Sequence, residues 1–261
     1  MKKLIVLIVV LLSSVLLATA VKISELEARD DGLTYYENTQ NLFTGLAKDY
    51  YNNGKLKADL HFEKGKFDGL TRTYYENGKT QGEIYYTNGI VDGPIKEFFQ
   101  NGNVKAERTY KAGKKNGISK TYYENGKLQS ITTYQNDKRT GSEKNYNKDG
   151  KLESELNYSA DKLNGIIKRY YKNGKLASEI TYVAGKANGK GKQYYEDGRE
   201  KSSAGGFQSL KTSNKPDKEI SLGELDKIEE KTDIVKKVNT NAKTPKKEDT
   251  KKNNTKNVKK K

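Results

Sequence analysis

His61 is the only histidine in the chain, and there is no cysteine. Cysteine nucleophiles, disulfides and His/Cys metal cages are therefore excluded, and a Ser–His–Asp triad has one candidate base. That base sits in "LKADLHF" (Leu56–Phe62), on the side shared with Lys57 and Asp59, and no G-x-S-x-G motif occurs. The stretch "GKANGKGK" (Gly185–Lys192) is rich in glycine and lysine but lacks the spacing of a phosphate loop. Carboxylates are numerous, yet they are spread singly along the chain beside basic residues. A general acid/base pair needs two of them to converge. The sequence reads as non-enzymatic, with no cofactor, no metal and no small-molecule substrate.

Two other residue classes have a pattern suited to binding. The first is a set of tyrosine pairs: Tyr50 and Tyr51, Tyr74 and Tyr75, Tyr122 and Tyr123, Tyr170 and Tyr171, Tyr194 and Tyr195. On a strand, neighbouring side chains point to opposite faces, so each pair puts one ring on each face. Either both rings are structural, or one ring of each pair joins an exposed ladder able to grip a peptide or glycan. The second class is lysine near the C-terminus: Lys246, Lys247, Lys251, Lys252, Lys256, Lys259, Lys260 and Lys261. Such a run attracts polyanions at short range, or serves only as a solubilising end.

The elements that position these residues follow from a repeat. Gly45, Gly69, Gly93, Gly117, Gly141, Gly165 and Gly189 are 24 residues apart, and a second glycine set from Gly54 to Gly198 keeps that spacing. Each unit holds an Asn-Gly or Asp-Gly turn and a Gly-Lys turn, the latter with Asp137 and Asp161 replacing glycine in two units. The segments between them have strand length, and "LASEITY" (Leu176–Tyr182) alternates like a half-buried strand. The fold class is all-β: an elongated single antiparallel sheet of stacked 24-residue hairpins. The fourth position of every unit is basic, from Lys48 to Lys192, and the fifteenth is acidic except at Ile131. A four-residue turn places these charges opposite each other across the hairpin; a three-residue turn with a glycine bulge shifts them by one.

The units "GLTRTYYENGKTQGEIYYTNGIVDG" (Gly69–Gly93) and "GIIKRYYKNGKLASEITYVAGKANG" (Gly165–Gly189) resemble the MORN-repeat variant, of the type found in the YwqK-like antitoxin family. The resemblance runs from about residue 29 to residue 200. "RDDGLTYYENTQNLFTG" (Arg29–Gly45) is similar to that family's lead-in. The resemblance implies a twisted sheet of stacked hairpins. Asn147 departs from the pattern at the second aromatic, and no second strand is recognisable after Gly198.

Flanking segments complete the organisation. Residues 1–20 have the three parts of a secretory signal: Lys2 and Lys3, then apolar Leu4–Leu17, then Ala18-Thr19-Ala20. The alternative is a retained N-terminal anchor, although 17 uncharged residues are short of the ~20 of a membrane span. Residues 21–44 form a lead-in or cap, and 45–200 the array of seven units, the last partial. Residues 201–261 form a Lys-rich tail with 17 lysines against nine acidic residues. The tail is expected to be mostly disordered, with a short amphipathic helix over 222–237.

The function that follows is an exported scaffold, periplasmic, secreted or at the cell surface, that binds a protein or envelope component through its sheet face. A second reading is an antitoxin or immunity protein, with a toxin as its partner, as the resemblance implies. A third is adhesion of the tail to an anionic membrane or envelope polymer.

Overall fold

The computed structural model describes residues 20–202. The expectations for the signal segment, the tail lysines and the 222–237 helix lie outside the described residues. Among those residues no helix is long and apolar enough to cross a membrane.

Eighteen strands form one sheet in hairpin succession, and no helix interrupts residues 45–200. Each unit contributes a strand such as Gly45–Tyr50 and a longer one such as Leu56–Glu63. All pairings within the array are antiparallel. The sheet as a whole is nevertheless mixed, because Val21–Lys22 pairs in parallel with Ala47 and Lys48. The first strand of an array has an open edge that must be covered. The lead-in covers it after a long connection through Ile23–Glu25 and the small Leu26–Ala28/Thr34–Tyr36 hairpin, and a long connection permits a parallel approach.

The two turns of a unit use different backbone solutions. At the Asn-Gly turn, Tyr51 N–H donates to the Lys55 carbonyl and Gly54 N–H to the Tyr51 carbonyl. Gly54 takes φ +80°, while Asn53 stays out of the left-handed region. This is a three-residue turn closed by a glycine bulge. A second bulge follows at once: Asp49 faces Ala58 but Tyr50 faces Leu56, leaving Lys57 as the extra residue. The second irregularity cancels the first. The register therefore places position four opposite position fifteen, although the turn is not the four-residue one that such a register suggests. At the other turn Lys64 and Gly65 both have positive φ, a two-residue turn whose twist matches the strands.

The packed face carries Ala47, Ala58, Leu60, Phe62, Phe67, Ile84, Tyr86, Ile95 and Tyr110, all buried. Among the described residues the lead-in packs against this face at the first unit through Leu26, and no second sheet covers the rest. Burial on one face of a single sheet is favoured where strand twist brings successive rows of side chains against each other. A spine of rings marks this core: Phe43–Phe62, Phe62–Phe67 and Phe67–Tyr86 have centroids 5.4, 4.5 and 5.2 Å apart. The seventh unit is more complete than its sequence indicates. Its turn closes through Tyr195 N–H to the Arg199 carbonyl, Tyr194 bridges Glu200, and Lys201 N–H reaches the Gln193 carbonyl.

Candidate interaction surface

The outer face is organised around one row of charge. Lys48 stands opposite Asp59, Arg72 opposite Glu83, Lys96 opposite Glu107, Lys144 opposite Glu155 and Lys168 opposite Glu179. Across unit boundaries the same acids face the next base: Asp59 with Arg72, Glu83 with Lys96, Glu107 with Lys120, Glu155 with Lys168 and Glu179 with Lys192. The row thus alternates in sign along the sheet except at Ile131. Four hairpins close the pair within ion-pair distance, Lys48–Asp59 at 3.5 Å, Arg72–Glu83 at 2.9 Å, Lys96–Glu107 at 3.7 Å and Lys144–Glu155 at 3.2 Å. Each exposed pair contributes about 0.2–1 kcal/mol.

The tyrosine pairs divide their work between the faces. The first tyrosine shares the outer face with the charge row and donates to the acid fifteen residues earlier. Tyr74 reaches Asp59, Tyr122 reaches Glu107 and Tyr170 reaches Glu155, all at 2.9 Å, and Tyr194 reaches Glu179 at 3.0 Å. Burial, reinforced by these acceptors, pushes the hydroxyls of Tyr74, Tyr122 and Tyr170 up to about 12. For Glu155, burial raises the carboxyl, but hydrogen bonds from Tyr170 and Lys144 outweigh it and hold the group below its ordinary value. The second tyrosine donates to a backbone carbonyl of the following unit: Tyr51 to Tyr74, Tyr75 to Phe98, Tyr123 to Tyr146 and Tyr171 to Tyr194. Asn147, at the corresponding place, instead spends its Oδ1 on the N–H groups of Asp149 and Lys151 within its own turn. Of the ten tyrosines, Tyr50 and Tyr195 are 43% and 50% exposed; the others are half-buried.

His61 is engaged structurally, its Nδ1 donating to the Leu70 carbonyl at 2.6 Å. Among the described residues no group of three or more His, Asp or Glu side chains is placed to hold a metal ion.

A polar seam on the packed face is the feature that sequence reasoning missed. Buried Glu97 is paired with Arg108, and Lys105 lies 3.8 Å from its second oxygen. Further along, Glu143 accepts from Thr132 at 3.3 Å and from Asn145 at 3.1 Å, with Arg139 3.9 Å away. The ring spine gives way to cation–ring stacking here: Lys115 lies 5.1 Å from the Tyr134 centroid and Arg139 4.1 Å from that of Tyr158. The signal was present. Arg108 and Thr132 occupy the repeat position of Leu60 and Ile84, and Glu143 that of Ala47 and Ile95.

The repeat spacing, the paired turns and this hairpin register have a counterpart among known families. The MORN repeat variant matches residues 43–64, 67–88, 91–112, 115–136, 139–160 and 163–184, just over half of the chain. The chain belongs to the MORN repeat variant family. Each MORN window begins on the packed-face row of Phe43, Phe67, Val91, Lys115, Arg139 and Leu163, two residues before the glycine that opens a unit. No curated protein matches the chain. Among solved structures, "Crystal structure of GtfA/B complex bound to UDP and GlcNAc" is similar to 43% of this chain at 14% identity and a TM-score of 0.19. The chain spans 22% of that structure's chain. A likeness this low bears on neither fold nor ligand.

Proposed function

We propose that this MORN repeat chain is a non-enzymatic scaffold, exported through residues 1–20, that holds a protein partner on the outer face of its sheet. The observation that carries the reading is the regularity of that face. Five of the six hairpins present the same opposed charge pair, and an aromatic ring recurs beside it at a fixed spacing, which gives a long surface for an extended partner. Aliphatic side chains project beside that row, Ile118 and Ile166 among them. The one histidine is committed to a backbone carbonyl, which supports a role without catalysis.

The finer reading, a YwqK-like antitoxin or immunity protein, rests on the resemblance over residues 29–200 and uses the same face to mask a toxin. Adhesion of the tail to an anionic polymer is a separate property of the lysines beyond residue 236. Affinity capture with the full-length chain tests the scaffold. A partner retained by the wild type and lost when Lys48, Arg72 and Lys96 are together replaced by Glu supports it; retention by both proteins, or by neither, overturns it. A toxin-like neighbouring reading frame encoding the captured partner supports the antitoxin reading.

A further inference from the structure

The charge row has one break, and the groups around the break are those of a carboxylate site without its carboxylate. Ile131 stands opposite Lys120 in its own hairpin and opposite Lys144 in the next. Every other fifteenth-position residue of a complete unit is an acid between two such bases. Four of those acids also accept a hydroxyl from the tyrosine fifteen residues later: Asp59, Glu107, Glu155 and Glu179. The tyrosine in that relation to Ile131 is Tyr146. The repeat has therefore lost the acceptor and kept all three donors.

Those donors are not fully used elsewhere. Lys120 has no carboxylate within ion-pair distance among the described residues. Glu107, its neighbour across the unit boundary, takes Lys96 at 3.7 Å and Tyr122 at 2.9 Å. The Tyr146 hydroxyl has no hydrogen-bond partner among the described residues, whereas its counterparts Tyr74, Tyr122, Tyr170 and Tyr194 all have one. Lys144 is held 3.2 Å from Glu155 and has donors to spare. The floor is aliphatic: Ile131 itself, half-buried, and Ile118, 51% exposed and two residues before Lys120. The next acids along the row, Glu107 and Glu155, oppose a bound anion. The arrangement is nonetheless the one that Glu83 occupies, with Arg72 and Lys96 on either side and Asp59 and Glu107 beyond them.

We propose that this break is a docking point for an acidic segment of a protein partner, one glutamate or aspartate of which takes the place of the missing fifteenth-position acid. Lys120, Lys144 and Tyr146 supply the hydrogen bonds, and Ile118 and Ile131 take an aliphatic neighbour of that residue. Charge complementarity selects the occupant, since Lys120 and Lys144 flank by register, and Tyr146 follows by repeat position, a residue that in every other complete unit is a carboxylate. The inference rests on the scaffold reading and gives it a site.

The test uses full-length protein and a capped peptide of leucine and glutamate, with its leucine–glutamine counterpart as control. Isotope-edited NMR is expected to show saturable shifts at Lys120, Ile131 and Tyr146 with the glutamate peptide alone. Ile131→Glu fills the site from within, and is expected to keep the fold by circular dichroism and to weaken binding by about tenfold or more, the scale of a lost charge-assisted contact. Lys120→Gln and Tyr146→Phe, which leave the packed face untouched, are expected to weaken it in the same direction. Shifts spread evenly along the charge row, shifts confined to residues 203–261, or unchanged binding by all three variants overturn the proposal. A captured partner held equally by wild type and Ile131→Glu overturns this site while leaving the scaffold intact. Peptide binding at the break without any captured partner supports the site and counts against the scaffold.

Discussion

The Tyr74 hydroxyl donates to Oδ2 of Asp59, 2.9 Å away in the preceding unit, and so ties two repeats together from the side on which neither is packed. The same contact recurs from Tyr122 to Glu107 and from Tyr170 to Glu155. It exists only while the tyrosine is protonated. The three hydroxyls are raised from the ordinary 10 to about 12, by burial first and then by the acid acceptor. A tyrosine whose folded value lies above its unfolded value stabilises the fold fully below the unfolded value. That contribution is lost as pH rises through the folded one. Stability is therefore expected to fall between pH 10 and about 12. A urea melt series across that range checks it, and the triple Tyr→Phe variant at these positions is expected to show a shallower fall.

Gly65 and Gly54 separate backbone strain from crowding. Both have positive φ, +77° and +80°. A Cβ on Gly65 meets the Thr34 carbonyl oxygen at 2.8 Å, where the lead-in docks on the first unit, while one on Gly54 meets nothing within 4 Å. Each alanine substitution costs about 1–2 kcal/mol for the left-handed backbone. Gly65→Ala is expected to cost about 1–3 kcal/mol more from overpacking. Equal urea midpoints for the two variants count against a tightly docked cap.

Ala160 carries a strain that the repeat itself shows how to remove. It has φ +48° at a turn where Asn88 and Asn136 occupy the same place in other units. Asparagine tolerates that conformation better than alanine. Ala160→Asn is expected to stabilise the protein by about 0.5–1 kcal/mol in thermal or urea unfolding, on the scale of other turn substitutions compatible with their backbone.

Glu97 and Arg108 form a buried ion pair, with side chains 3% and 10% accessible. Removing Arg108 leaves buried Glu97 only the more exposed Lys105, 3.8 Å away. Arg108→Met is expected to destabilise by about 3–5 kcal/mol. The double variant with Glu97→Leu is expected to recover much of that loss, because an apolar pair fits a packed face whose row neighbours are Ile95 and Ala106. A double-mutant cycle by urea unfolding measures the coupling; simple additivity contradicts a buried pair.

The sequence by itself determined the hairpins. Turn chemistry and period-two alternation act among residues fewer than ten apart, so Asn-Gly, Gly-Lys and the alternating segments specify each unit without reference to the next. The uninterrupted 24-residue spacing then makes the units stack alike, and the opposed charges at positions four and fifteen are legible because they share a hairpin. The tertiary structure decided what depends on strand register and on the packing of one unit against the next. The bulge at Lys57 restores an alignment that the three-residue turn alone would shift. Tyr51 finds a carbonyl 23 residues later, and Tyr74 an acid 15 residues earlier. Glu97, a charged residue on the packed face, is tolerated because Arg108 from the neighbouring strand lies against it. The tyrosine contacts join groups in different units, whose relative position is set only when one hairpin stacks on the next. Glu97 and Arg108 share a hairpin, but which face they occupy and how deeply they are buried depend on the packing of the neighbouring rows.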